Sequence, residues 1–134
     1  MKRYMSLDIG DATIGVAVSD LLGLTAQGVE TIRRRDLSDD LNRLGVLIQE
    51  YEADALVAGL PKHMNGQEGE RCALVRAFMA DAAERFPMME IHYWDERLST
   101  VAASRTLLEG DVSRKKRRKV IDKMAAVYIL QGFL

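Results

Sequence analysis

The apolar positions change period along the chain, and the changes mark its elements. Arg3 to Asp8 alternates as a strand does, and Ile14 to Ser19 alternates again, with Gly10-Asp11-Ala12-Thr13 as the turn between them. So short a turn makes the two strands antiparallel. A third strand is predicted over Thr25 to Ile32. From Leu37 the period becomes helical: Leu37, Leu41, Leu44, Leu47 and Ile48 fall on one side, with Ser38 near the helix start. Ala55-Leu56-Val57-Ala58 reads as a buried central strand stopped by Gly59. A helix follows from Glu68 to Phe86, acidic in its first turn (Glu68, Glu70) and closed by Pro87. The pattern then predicts a strand over Glu90 to Trp94 and a helix over Thr100 to Glu109, capped by Ser99 and ended by Gly110. Beyond a basic run, a last helix carries Ile121, Met124, Ala125, Tyr128 and Ile129 on one face.

This order predicts an α/β fold: a mixed five-stranded sheet, its first three strands an antiparallel meander, with helices on its faces. That is the ribonuclease H-like topology. No repeat, low-complexity tract or Pro/Gly/Ser-rich linker interrupts it, so residues 1–134 read as a single domain.

Composition narrows the class. With 48% apolar and 29% charged residues the chain has the make-up of a folded globular domain rather than a disordered one. No window approaches the roughly 18 apolar residues of a membrane span, and no membrane partner is expected. Met1-Lys2-Arg3-Tyr4 leads into a strand and not a signal peptide, so cytoplasmic residence is the expectation. Cys72 is the single cysteine, which excludes an internal disulfide and a zinc cluster; it reads as a packing residue. The net charge of -1 hides an uneven distribution, because Arg114-Lys115-Lys116-Arg117-Arg118-Lys119 is an unbroken basic run. Consecutive like charges repel unless a polyanion relieves them, and the run is expected to contact nucleic acid. A solvated loop or helix start is its bland reading.

Three acidic positions are candidates for chemistry. Asp8 shares a strand face with Tyr4 and Ser6, and the neighbouring strand offers small residues, Gly15, Ala17 and Ser19, on one of its faces. Alone, Asp8 reads equally as a turn-entry aspartate. Asp95-Glu96-Arg97 follows a strand directly, where open α/β sheets bind ligands; a solvated loop with a Glu–Arg pair is the alternative. Asp122 borders the stripe formed by Ala125, Ala126 and Ile129, and a neighbouring base such as Lys123 could equally satisfy it. Taken together, the three can converge and offer hard oxygen donors to Mg²⁺ or Mn²⁺. The loop Gly59-Leu60-Pro61-Lys62-His63-Met64-Asn65-Gly66 lets backbone approach a phosphate, with Lys62 and Asn65 as contacts, or is simply a βα connection. His63 and His92 have no evident nucleophile partner. Trp94 and Tyr128 read as core.

Leu7-Asp8-Ile9-Gly10 with Thr13 to Asp20, Gly59-Leu60-Pro61 with Met64-Asn65-Gly66, Asp95 to Thr100, and Lys119 to Ala126 with Ile129-Leu130 form an ordered set spanning nearly the whole chain. In these segments the sequence resembles the YqgF family, described as pre-16S rRNA nucleases and, under the RuvX name, as Holliday junction resolvases. The resemblance implies a ribonuclease H-like fold, a divalent-metal nuclease and a role in maturing the 5′ end of small-subunit rRNA. It implies Asp8, Glu96 and Asp122 as the catalytic, metal-binding set, with Asp95 beside them. The family carries Lys or Arg in the turn where this chain has Asp11-Ala12-Thr13, so a phosphate contact there is missing or is supplied by Arg97 or the basic run; Asp11 could add a carboxylate.

Three activities compete. The nuclease would act on structured rRNA or on branched DNA, the latter calling for a two-fold homodimer. An actin-like ATPase also opens with Asp-x-Gly, but clamps nucleotide between two domains, and this chain supplies one. A non-catalytic ribosome-assembly factor would use Arg114 to Lys119 alone.

Overall fold

The structure, a computed structural model, describes residues 2–98 and 114–134; the side chains of residues 114–123 are outside that description. Strands β1 (Tyr4–Ile9), β2 (Thr13–Ser19) and β3 (Ala26–Arg33) form the expected antiparallel meander. Strands β4 (Ala55–Leu60) and β5 (Glu90–Asp95) extend it beyond β1, giving the order β3-β2-β1-β4-β5. β4 runs parallel to β1, and β5 parallel to β4. β1 is thus hydrogen-bonded on both edges, and every residue after Tyr4 in it is buried.

The period-2 alternation of β1 divides the core. Met5, Leu7 and Ile9 join Leu41, Leu44 and Leu47 of α1 (Leu37–Glu50) and Val75, Phe78 and Met79 of α2 (Glu70–Arg85). Ser6 and Asp8 face the opposite way, toward α3 (Arg114–Phe133). There Ala125, Ala126, Ile129 and Leu130 pack with Ala17 and Val57 in a second, smaller core. Cys72 is fully buried in the larger core, and burial raises its thiol pKa, as suits a packing residue. Trp94 and Tyr128 pack against the smaller core. No described helix is long and apolar enough to cross a membrane.

Several boundaries differ from those the sequence predicts. Gly59 does not stop β4; it lies opposite Trp94 and the strand continues to Leu60, since ladder pairing uses backbone that glycine retains. Asp36, not Ser38, caps α1: its carboxylate accepts the Asp39 N–H at 2.8 Å from an extended backbone, leaving Ser38 within the helix. α3 begins at Arg114, so the basic run lies inside the helix instead of ahead of it. Lys and Arg are good helix formers, and their charge does not break the pattern. The helix expected over Thr100 to Glu109, with Ser99 as its cap, lies outside the described residues.

A buried ion pair anchors the turn after β1. Arg34 Nε donates to Asp40 Oδ2 at 3.0 Å, and its Nη1 donates to the Gly10 carbonyl at 2.9 Å. The Arg34 backbone N–H donates to the Ala12 carbonyl at 2.9 Å, and Asp40 also accepts the Arg35 N–H. Asp40 is only 2% exposed, and removing it takes the carboxylate from a guanidinium that stacks on the Phe78 ring at 5.3 Å. Asp40→Ala is expected to cost about 3 kcal/mol in urea unfolding, in the range for breaking a buried pair. A loss below about 1 kcal/mol would mean that the turn is held by other contacts.

Candidate active site

Two of the three expected carboxylates come to the same end and face of the sheet. Asp8 is 5% exposed and lies opposite Gly15 of β2. On its other edge Leu7 lies opposite Ala58, so the next position in register on β4 is Gly59. A Cβ at Gly59 would fall 3.0 Å from Oε2 of Glu96, the residue that opens the 3-10 turn Glu96–Leu98 just beyond β5. Glu96 is 9% exposed. Gly59 therefore lies between Asp8 and Glu96 without a side chain to separate them, and Gly15 leaves the other flank of Asp8 equally bare. The groove is not open, as the small residues alone would allow; both carboxylates are buried.

The cover over this strip is α3. Ser6, two residues before Asp8 on the same face, donates its hydroxyl to the Ala126 carbonyl at 2.6 Å. Tyr4 meets Phe133 edge-on, with ring centroids 5.2 Å apart. Between 126 and 133 the helix thus runs back along β1, antiparallel to it. A Cβ at Gly59 would also collide with Ile129 Cδ1, and one at Gly132 would lie 3.0 Å from the Trp94 ring. Glycine at both positions permits an approach that alanine would obstruct. Asp122 stands one turn before Ala126 in α3, and its side chain lies outside the described residues. Among the described residues no three His, Cys, Asp or Glu side chains form a group that could hold a metal ion. The described part of the expected set is the pair Asp8 and Glu96.

The other expected contacts are distributed around the loop after β4. Lys62 lies 3.9 Å from Glu68, a carboxylate that Arg76 also engages at 2.6 and 2.8 Å and thereby holds below its ordinary pKa. Asn65 is exposed and caps its own turn, Oδ1 accepting the Gln67 N–H at 3.0 Å, with Gly66 at φ +88°. Arg97 pairs with Asp95, not with Glu96 as the local sequence allowed: in a 3-10 turn the side chain of residue 97 folds back onto residue 95. This hydrogen bonding holds the Asp95 carboxyl below its ordinary pKa, and Asp95 faces a cation already. Asp11 is exposed in the turn. The side chains of Arg114, Lys115, Lys116, Arg117, Arg118 and Lys119 lie outside the described residues. Ser6, read from the sequence only as sharing the face of Asp8, holds α3 through its hydroxyl, and Gly59, read as part of a loop open to phosphate, makes room for Ile129 and Glu96; small size was the signal at both.

The family model described as RuvX, Holliday junction resolvase, matches residues 2–134. Proteins named "Putative pre-16S rRNA nuclease" from Heliobacterium modesticaldum and Desulforamulus reducens are each 54% identical over 132 residues, 98% of this chain and 88% and 96% of their own lengths. One of the same name from Clostridium botulinum is 52% identical, covering 98% of this chain and 96% of its own. Among solved structures, T. thermophilus RuvC in complex with a Holliday junction substrate aligns over 99% of this chain and 94% of its own, with TM-score 0.60 and 11% identity. A second T. thermophilus RuvC structure gives TM-score 0.51 at 11% identity, over 96% and 92% of the two chains. At that identity the likeness is one of fold, and it is the ribonuclease H-like fold expected from the order of elements.

The close approach at Gly59 makes a direct prediction. Gly59→Ala should destabilise the protein by about 1–3 kcal/mol, as overpacking of a fixed core does. Ile129→Val, which deletes the clashing Cδ1, should recover part of that loss in the double variant. Urea midpoints equal to wild type for Gly59→Ala would show that α3 does not bear on the sheet there.

Proposed function

Since the chain belongs to the RuvX family of Holliday junction resolvases, we propose that it is a divalent-metal-dependent nuclease whose substrate is precursor 16S rRNA, processed at the 5′ end. The supporting observation is the meeting of Asp8 and Glu96 across Gly59, on the face that α3 covers. The substrate follows the names of relatives 52–54% identical over nearly the full chain. It implies a cytoplasmic site of action.

The donor set fits a hard cation. Asp8 and Glu96 are buried carboxylates on one face of the sheet, and oxygen ligands of this kind suit Mg²⁺ or Mn²⁺. Asp122 completes the set in this reading: antiparallel α3 carries positions before Ala126 toward the Asp8 end of β1. When bound, such an ion supplies Lewis-acid activation of water and stabilises charge on the phosphodiester. Asp8, on a central strand paired on both edges, gives the site a rigid ligand. Glu96 reaches it from a turn held between two strand ends. Neither histidine has a role here; His92 sits beside Glu90, Tyr4 and Phe133.

The basic run grips the substrate backbone. Six consecutive cations lie in the sequence at the start of α3, and consecutive like charges repel unless a polyanion relieves them. A four-way DNA junction is the second reading, favoured by the family's description, and would require a two-fold dimer of this chain.

Labelled precursor 16S rRNA and a four-way junction, each incubated with Mn²⁺, Mg²⁺ or EDTA, test the proposal. Cleavage of the RNA with metal and none in EDTA is expected. Asp8→Asn should lower the rate by at least about 100-fold, because changes merely behind a metal ligand cost 10–100-fold. Binding of both substrates without cleavage of either would leave a non-catalytic assembly factor. Charge reversal of Arg117 and Arg118 should weaken binding to all sequences alike and reduce the salt slope by about 0.7–0.9 per lost phosphate contact; an unchanged slope would remove the basic run from the interface.

A further inference from the structure

Arg97 is placed to hold the site together rather than to touch substrate. Its Nε lies 3.1 and 3.0 Å from the two Asp95 carboxylate oxygens, and Nη2 lies 2.6 Å from Oδ2. The Arg97 backbone N–H also donates to Asp95 Oδ1, at 3.0 Å. On its far edge Nη1 donates to the Met64 carbonyl at 3.2 Å, and a Cβ at Gly66 would fall 3.3 Å from the same nitrogen. One side chain thus joins the end of β5, the 3-10 turn and the loop after β4. Glu96 lies between the two residues so joined.

The donor geometry favours one of the two roles open to an arginine here. A guanidinium binds phosphate best through a two-donor edge matched to two oxygens. The Nε/Nη2 edge of Arg97 is occupied by Asp95, and Nη1 holds the loop. The loop is shaped to receive it: His63 and Gln67 are joined backbone to backbone at 2.9 Å, and Gly66 is left-handed at φ +88°. That conformation, with no Cβ, lets backbone lie against the guanidinium.

We propose that Arg97 is a positioning residue, clasping Asp95 to the Met64 carbonyl so that Glu96 and the loop of residues 61–67 keep their relative placement, and that it is not a phosphate contact. The catalytic half of this inference rests on the nuclease reading; the clasp does not. Lysine retains the charge but lacks the planar fork, so it cannot bridge both partners. A phosphate contact, by contrast, would survive as a point charge.

The test compares Arg97→Lys, Arg97→Ala and Asp95→Asn in the full chain. Single-turnover cleavage of precursor 16S rRNA should slow by about 10–100-fold in all three, with substrate affinity nearly unchanged. The double variant Arg97→Ala/Asp95→Asn should be no slower than either single one, since both break the same clasp. The salt slope of binding should match wild type, whereas a lost phosphate contact would reduce it by about 0.7–0.9. Independently of activity, amide exchange at Met64 to Gln67 should accelerate in Arg97→Lys. Full activity in Arg97→Lys, or a reduced slope in Arg97→Ala, would overturn the proposal. If the wild-type protein cleaves nothing, the nuclease reading falls and the exchange measurement still decides the clasp: unaltered exchange in Arg97→Lys refutes it.

Discussion

The architecture depends on how closely α3 can lie on the sheet. Helices pack at a distance set by the side chains between them, and here those side chains are small: Ala125 and Ala126 on the helix, Ser6, Ala17 and Gly59 beneath it. Ile129 fills the place that a Cβ at Gly59 would take, and the Trp94 ring does the same at Gly132. Close contact buries Ser6, whose hydroxyl must then find a partner, and it does so in the Ala126 carbonyl. Asp8, two residues further along the strand on the same face, is buried as well. Site and packing are thus one arrangement, and enlarging any of these residues would act on both.

Ion pairs hold the strand ends on either side of that contact, and their burial separates their roles. Arg34 and Asp40 form a largely buried pair beside Phe78, tying the turn after β1 to the first helix. Asp95 and Arg97 form a more exposed pair that ties the tip of β5 to the loop after β4. The first pair is linked to stability, since losing either partner strands a buried charge. The second contributes little stability for its exposure and acts through geometry instead. Between them stand Asp8 and Glu96, each next to a backbone segment that an arginine restrains.

The comparisons divide along the same line. Relatives 52–54% identical over almost the full chain share its family, and the likeness to RuvC at 11% identity is a likeness of fold. Alternation and helical period need no particular residue, so the fold survives at low identity.

Periodicity made the fold legible. The meander, both crossover helices and the final helix follow from where apolar residues fall, because a strand or helix can bury only the face its period supplies. Asp8, Glu96 and Asp122 were visible as candidates through family motifs and through their places at element ends. What the linear pattern left open is that β4 runs through Gly59, that Asp36 caps the first helix, and that Arg97 turns to Asp95 and Met64. The cap is a local choice along one stretch of chain, whereas the β4–β5 pairing at Gly59 and the Arg97–Met64 bond exist only when separate segments meet. Glycine at 59 looks like a strand terminator until Ile129 and Glu96 arrive from the last helix and the turn beyond β5. Composition and period specify which faces must be buried; the distance at which those faces come to rest is decided by their three-dimensional meeting.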